Sequence, residues 1–233
     1  MTLGTGLSDL AHYTFIFREK DLKMNEDGLT GITVNPKRFR CIKPEIRVLG
    51  VDDGVFLPRT EGTVDVVGVV YRGGYWLDGV MRTEVEIDGM DATDKIASMI
   101  KSSPHHRQLR VVVINGVTLA GFNVVDIQSL SKEVDLPVIT VTKEKPNLAE
   151  IKMAVENLPE YEKRWQAIKN AGEIAEVYTR NEEEAVYVQV AGISRSDAER
   201  ILKKTSTRSN VPEALRVAHI IASGLAQAKE KET

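Results

Sequence analysis

The chain has 233 residues, a formal net charge of −3 and 42% hydrophobic content, enough apolar material to bury one sizeable α/β core, which excludes a disordered or fibrous protein. That balance gives no global attraction to nucleic acid, so such binding has to come from local patches. The single cysteine, Cys41, excludes an internal disulfide and a cysteine-cluster zinc site, and no apolar run approaches the roughly 18 residues that span a bilayer. The start, Met1-Thr2-Leu3-Gly4-Thr5-Gly6, lacks the basic segment and apolar core of a signal peptide, so the expected location is cytoplasmic, with no membrane partner.

Residues 1–43 carry scattered polar side chains, Gly4, Gly6, Gly28 and Gly31, and no sustained hydrophobic period. Apart from a short strand at Tyr13–Phe17 they read as a weakly structured N-terminal extension. It ends in the basic cluster Lys37, Arg38, Arg40 and Lys43, which either contacts phosphates or is simply solvated. Cys41 reads as structural or incidental, since nothing around it supplies the machinery of a nucleophile.

From Pro44 the pattern becomes regular and runs to 228 as a single domain. A β-branched run over Glu45–Asp53 predicts a first strand that terminates in Asp52-Asp53-Gly54. An unpaired buried carboxylate is strongly disfavoured. A strand ending in two therefore reads either as a divalent metal site or as an exposed Asp-Gly turn. Strands over Val64–Tyr71 and Tyr75–Ile87 flank the turn signal Arg72-Gly73-Gly74 and complete a three-strand meander. Asp91-Ala92-Thr93-Asp94 opens a helix with Ile96, Met99 and Ile100 on one face, ending near Ser103-Pro104.

Leu109–Ile114 is almost wholly apolar, as a parallel strand covered on both faces must be, and it ends at Asn115-Gly116. A loop through Gly121-Phe122-Asn123 leads to a helix over Val124–Glu133 and a strand over Leu136–Val141. Helices over Asn147–Asn157 and Glu160–Ala171 follow, then strands over Ile174–Tyr178 and Ala185–Val190. Two further helices, Ser194–Lys204 and Pro212–Ala228, close the chain, with Ser194 and Pro212-Glu213 as start signals. Three meander strands followed by helix, strand, helix, strand, helix is the order of the ribonuclease H-like fold, an α/β mixed sheet with helices on both faces. In that order the first and fourth strands lie parallel and adjacent, so Asp52 and Asn115 meet in the crevice where strand order reverses. Asp88 and Asp91, just beyond the third strand, lean over the same crevice.

Several stretches resemble one archaeal family, called domain of unknown function 99. They are KPEIRVLGVDDG (Lys43–Gly54), RGGYWLDGV (Arg72–Val80), EIDGMDAT (Glu86–Thr93), INGVTLAGFNVVDI (Ile114–Ile127), LPVITVT (Leu136–Thr142) and PEALRVAHIIASG (Pro212–Gly224). The family's fold is similar to the endonuclease V branch of the ribonuclease H-like nucleases. Gly50-Val51-Asp52 matches the Gly-Val-Asp that ends the first strand of endonuclease V enzymes. Their Glu after the third strand has Asp88 or Asp91 in its place, without an identical motif, and their later Asp-Gly reads Asn115-Gly116.

The resemblance implies a metal-dependent phosphodiesterase or nuclease that uses Mg²⁺ or Mn²⁺ and has nucleic acid as its partner. Asp52, Asp53, Asp91, Asn115 and Asp126 are the candidate metal ligands, and Asp52, Asp88, Asp91 and Lys143 the candidate catalytic residues. Lys143 would neutralise developing charge or position a phosphate. The ion would activate water and clamp the attacking and leaving oxygens. An amide oxygen brings no charge to offset the ion, so Asn115 lowers the affinity expected for a second metal, and Asp126 either compensates or caps the following helix. Gly116, Gly121, Phe122 and Asn123 form the loop expected to approach substrate. There Gly121 allows close backbone contact and Phe122 offers either a stacking face or a core anchor. No wedge or base-pocket motif is present, so inosine specificity does not carry over.

The alternative is a non-catalytic nucleic-acid- or protein-binding member with a degenerate metal site. Asn115 favours it, and the retained Asp52, Asp88 and Asp91 oppose it, because a surface for phosphates gains from losing negative charge. A small phosphate-ester hydrolase using the same ions is a third reading. His105-His106 reads as a solvated loop and His219, on the apolar last helix, as a satisfied core or groove histidine.

Overall fold

The computed structural model describes residues 36–57 and 60–230; the strand expected at Tyr13–Phe17 lies outside the described residues. The meander consists of β1 (Arg47–Asp53), β2 (Thr63–Arg72) and β3 (Trp76–Glu86), all antiparallel. On the other side of β1, β4 (Val111–Asn115) pairs with it in parallel. A small hairpin of β5 (Thr118–Leu119) and β6 (Asn123–Val124) follows β4. Beyond β4 the sheet continues with β7 (Val138–Thr142), parallel, while β8 (Ala175–Tyr178) and β9 (Ala185–Ala191) close it antiparallel in the order β3-β2-β1-β4-β7-β9-β8. The predicted ribonuclease H-like order is borne out, including the parallel contact of the first and fourth strands.

The helices are α1 (Ala92–Ser102), α2 (Ile127–Val134), α3 (Leu148–Val155), α4 (Tyr161–Asn170), α5 (Arg195–Thr205) and α6 (Glu213–Glu230). The helix expected from Val124 starts later, at Ile127, because Asn123 and Val124 belong to the hairpin and Asp126 is the N-cap. Alternation along β1 divides the core between the two sheet faces. Leu49 and Val51 join Ile96, Ile100, Ile127 and Leu130 of α1 and α2 on one face. Val48 joins Val67, Val113 and Ile139 beneath α5 and α6 on the other. Residues 36–43 lie against this domain: Lys37 bridges to Ile193, its N–H donating to the Gly192 carbonyl at 2.8 Å, and Ile42 is buried in the second core.

Gly50 explains how α6 sits. A Cβ there would lie 2.2 Å from the Ala214 carbonyl carbon and 2.3 Å from the Leu215 nitrogen, so the helix backbone rests directly on the strand. A Cβ on Gly54 would meet the Ala222 carbonyl oxygen at 3.1 Å. Gly50 to Gly54 advances about 13 Å along a strand and Ala214 to Ala222 about 12 Å along a helix. The helix therefore runs alongside β1 in the same direction, and His219 arrives level with Asp52. Gly50→Ala is expected to cost about 3 kcal/mol in urea unfolding, the upper end of overpacking costs. Gly224→Ala, at a helical position with open space around it, should instead gain about 0.5–1 kcal/mol.

Candidate active site

The crevice is built where β1 ends. Asp52 faces α6 and is 1% exposed. One carboxylate oxygen accepts from Asn115 Nδ2 at 2.9 Å and from the Asp53 N–H at 3.0 Å. Its other oxygen lies 3.0 Å from His219 Nδ1. Asn115 reaches this point because β4 pairs with β1 in a register that sets Val51 opposite Ile114. Burial pushes the Asp52 carboxyl above the ordinary carboxylate range, while the Asn115 hydrogen bond and the neighbouring His219 pull it back. The His219 side chain is 64% exposed, so the pair opens to solvent on one side. It lines a cavity of about 310 Å³ together with Lys143, Glu144, Arg216 and the apolar Val211 and Leu215.

Asp53, the next residue along an extended strand, faces the other way. Its Oδ2 accepts from the Ala120 N–H at 2.7 Å. Burial pushes this carboxyl up to about 6, the Ala120 hydrogen bond lowering it and the adjacent Asp52 raising it. Asp88, at φ 51°, grips the same hairpin tip. Its N–H donates to the Ala120 carbonyl at 2.9 Å and its Oδ1 accepts from the Phe122 N–H at 2.8 Å. Gly121, at φ 85°, is required there, since a Cβ would lie 2.3 Å from the same Asp88 oxygen. Asp91 Oδ1 accepts from Asn123 Nδ2 at 2.6 Å, and the buried Asn123 in turn accepts from the Ala92 N–H at 3.0 Å, tying the start of α1 to the hairpin.

Beneath both loops lies the guanidinium of Arg164, a side chain only 2% exposed. It donates to the carbonyls of Pro159 at 2.8 Å, Gly89 at 2.8 Å, Phe122 at 2.6 Å and Asp88 at 2.6 Å. A buried cation is thus satisfied by backbone dipoles, and it joins the Asp88 loop to the hairpin tip.

Of the expected site residues, the structure gathers Asp52, Asp53 and Asn115 at one strand end with Lys143 at the rim, and links Asp88 to them through Ala120. Asp91 bonds within the loop, and Asp126 caps α2, accepting from the N–H groups of Gln128 and Ser129. Phe122 packs with Val124, Val155 and Ile168 in a satellite cluster, the place of a core anchor. Gly116 takes φ 77° at the end of β4. His219 stands in the groove, but its bond to Asp52 was not foreseen; the spacing of Gly50 and Gly54 was the available signal.

Among the described residues no three acidic, His or Cys side chains converge on one point. Mg²⁺ needs only one or two carboxylates, with water and substrate oxygens completing its shell. Both carboxyls are raised by burial, but they face opposite sides of the strand, so a hard cation in the crevice would relieve Asp52. Asn115 turns its amide NH2 to Asp52, so its oxygen would join Asp52 on one such ion only after the amide rotates, and no carboxylate set is left for a second. Without metal, Asp53 binds its proton more tightly folded than unfolded, its carboxyl moving from 3.8 to about 6. Its contribution favours folding below 3.8 and is lost as pH rises through about 6. Asp53→Asn keeps an acceptor for Ala120, so urea unfolding should show a gain on the order of 2 kcal/mol near pH 7.5 and little change near pH 4.

The fold is that of an endonuclease V-like mixed α/β protein. The chain belongs to the Endonuclease dU family, whose profile matches residues 44–226. A UPF0215 protein of Methanopyrus kandleri is 50% identical over 188 residues, covering 81% of this chain and 95% of its own. The crystal structure of a protein of unknown function from Archaeoglobus fulgidus superposes with TM-score 0.70 at 40% identity, over 78% of this chain and 98% of that one. Ciona intestinalis endonuclease V, in complex with a 24-mer DNA containing an inosine followed by a ribo-adenosine, gives TM-score 0.53 at 15% identity, over 79% of this chain and 87% of that one. That likeness establishes a shared fold. No helix among the described residues is long and apolar enough to cross a membrane.

Proposed function

We propose that this protein is a divalent-metal-dependent endonuclease that hydrolyses a phosphodiester in the crevice at the end of β1. The carrying observation is the Asp52–His219 pair beside Asn115 and Lys143 in an open cavity. With its Nδ1 against Asp52, His219 turns its other ring nitrogen outward. From there it takes a proton from the attacking water or returns one to the leaving oxygen. Asp52 holds the ring in that orientation. Lys143 offsets charge on the phosphate. Asp52, with Asn115 beside it, would hold Mg²⁺ or Mn²⁺, which would supply charge stabilisation at the transferring phosphate.

The family's description, and the inosine-containing DNA held by a structural relative, make deaminated bases the substrates to test, deoxyuridine first. Labelled single- and double-stranded DNA and RNA carrying deoxyuridine, uridine, inosine or no modification are incubated with Mg²⁺, Mn²⁺ or a chelator. The expected result is metal-dependent strand cutting beside the deaminated base. No cutting of any strand with either metal would overturn the proposal. Strands bound but left intact would support the second reading, a binding protein, which the Asn115 amide engaged on Asp52 favours.

A further inference from the structure

A second and larger concavity, of about 800 Å³, shares Lys143 with the crevice and extends from it past the β8–β9 turn and the segment before α6. Its polar lining includes Arg180, Asn181, Glu184, Arg208 and Asn210, with Tyr187 supplying an aromatic side chain. Three cationic side chains therefore face one carboxylate, on a chain whose net charge is −3. The groove is also braced. Thr179 Oγ1 donates to the Asn210 carbonyl at 2.7 Å, the Asn181 N–H donates to Asn210 Oδ1 at 3.1 Å, and Asn210 Nδ2 donates to Glu184 Oε2 at 3.1 Å. The one acidic group is thus engaged by an amide. Arg208 is anchored on the fully buried Glu213 at 3.0 Å while its side chain remains 56% exposed. Arg180 is exposed and makes no hydrogen bond or ion pair among the described residues.

We infer that this groove carries the nucleic-acid strand on one side of the scissile phosphate, with backbone phosphates on Arg180 and Arg208 and Lys143 at the junction with the crevice. The inference rests on the phosphodiester reading above and names where the polymer runs. Cations spaced along a groove with an aromatic side chain among them hold a single strand by its phosphates and base faces, without reading sequence. A compact phosphate ester would occupy the crevice alone and gain nothing from Arg180.

The test uses the full chain in an Asp52→Asn background, so that strands stay intact, and measures fluorescence anisotropy of labelled long (~20-nucleotide) and short (~5-nucleotide) single strands over a range of salt. Arg180→Ala should weaken the long strand several-fold, more than the short one, and lower the slope of log K against log salt by about 0.7, one phosphate contact. Arg180→Glu should weaken it further. Circular dichroism confirms that each variant is folded. Unchanged long-strand affinity and salt slope in Arg180→Glu would overturn the groove, as would binding confined to duplexes. Cleavage assays with Asp52 restored separate the two readings. Cutting with no dependence of binding on Arg180 removes the groove and keeps the nuclease. Arg180-dependent binding with no cutting keeps the groove and removes the nuclease, and no strand binding by the parent chain overturns the groove.

Discussion

Asp52→Asn is expected to lower the cleavage rate by at least about a thousandfold while leaving the protein folded, because the substitution removes a charge and keeps a shape. Asparagine retains an oxygen to accept from Asn115 Nδ2 and the Asp53 N–H, two of the three bonds that hold the carboxylate now. Burial already raises the carboxyl of Asp52, so an uncharged isostere costs nothing in desolvation and should leave urea unfolding unchanged or slightly improved. What disappears is the negative charge that orients His219 and would anchor the ion. His219→Ala should cost about 10²–10⁴-fold, the usual range for a positioned acid–base group. The double variant should be little slower than Asp52→Asn alone, since both residues act on one proton. Asp52→Asn within tenfold of the parent rate would remove Asp52 from the chemistry.

That constellation was only partly readable in the sequence, and the reasons differ from residue to residue. Strands and helices followed from burial period and start signals, so the strand order, and with it the meeting of Asp52 and Asn115, came from topology alone. The Asp52–His219 contact depends on how far α6 slides along β1, a tertiary quantity recorded only in the paired glycines at 50 and 54. Asp88, Asp91 and Asp126 all looked like spare acids near the crevice. Asp126 proves to be the cap, one of its two readings from sequence, and Asp91, at the start of α1, accepts from the Glu86 N–H; Asp88 accepts from the Phe122 N–H of the hairpin, a tertiary bond that no spacing records. Arg164 sits in sequence among the exposed charges of α4. Yet Arg164, Ala167, Ile168 and Ala171 recur at the spacing of a buried helix face, and an arginine in that row is itself a signal.

Arg164 therefore carries the second large expectation. Arg164→Met fills a similar volume but leaves the carbonyls of Asp88, Gly89, Phe122 and Pro159 without their donor. Each buried acceptor left unpaired costs about 1–3 kcal/mol, and water entering the opened loops recovers part of that, so the net loss in urea unfolding should be about 3–5 kcal/mol. Arg164→Lys keeps the charge but presents one point in place of a planar fork, so it should recover only part of the loss. The diagnostic reading is local. Hydrogen exchange at the N–H groups of Ala120 and Phe122, which Asp53 and Asp88 hold, should accelerate at denaturant concentrations where the sheet stays protected. Faster exchange there together with lost cleavage would mean that the buried guanidinium sets the walls of the crevice. Exchange that rises uniformly across the chain would make Arg164 a stability element of the core alone, with no separate hold on the site.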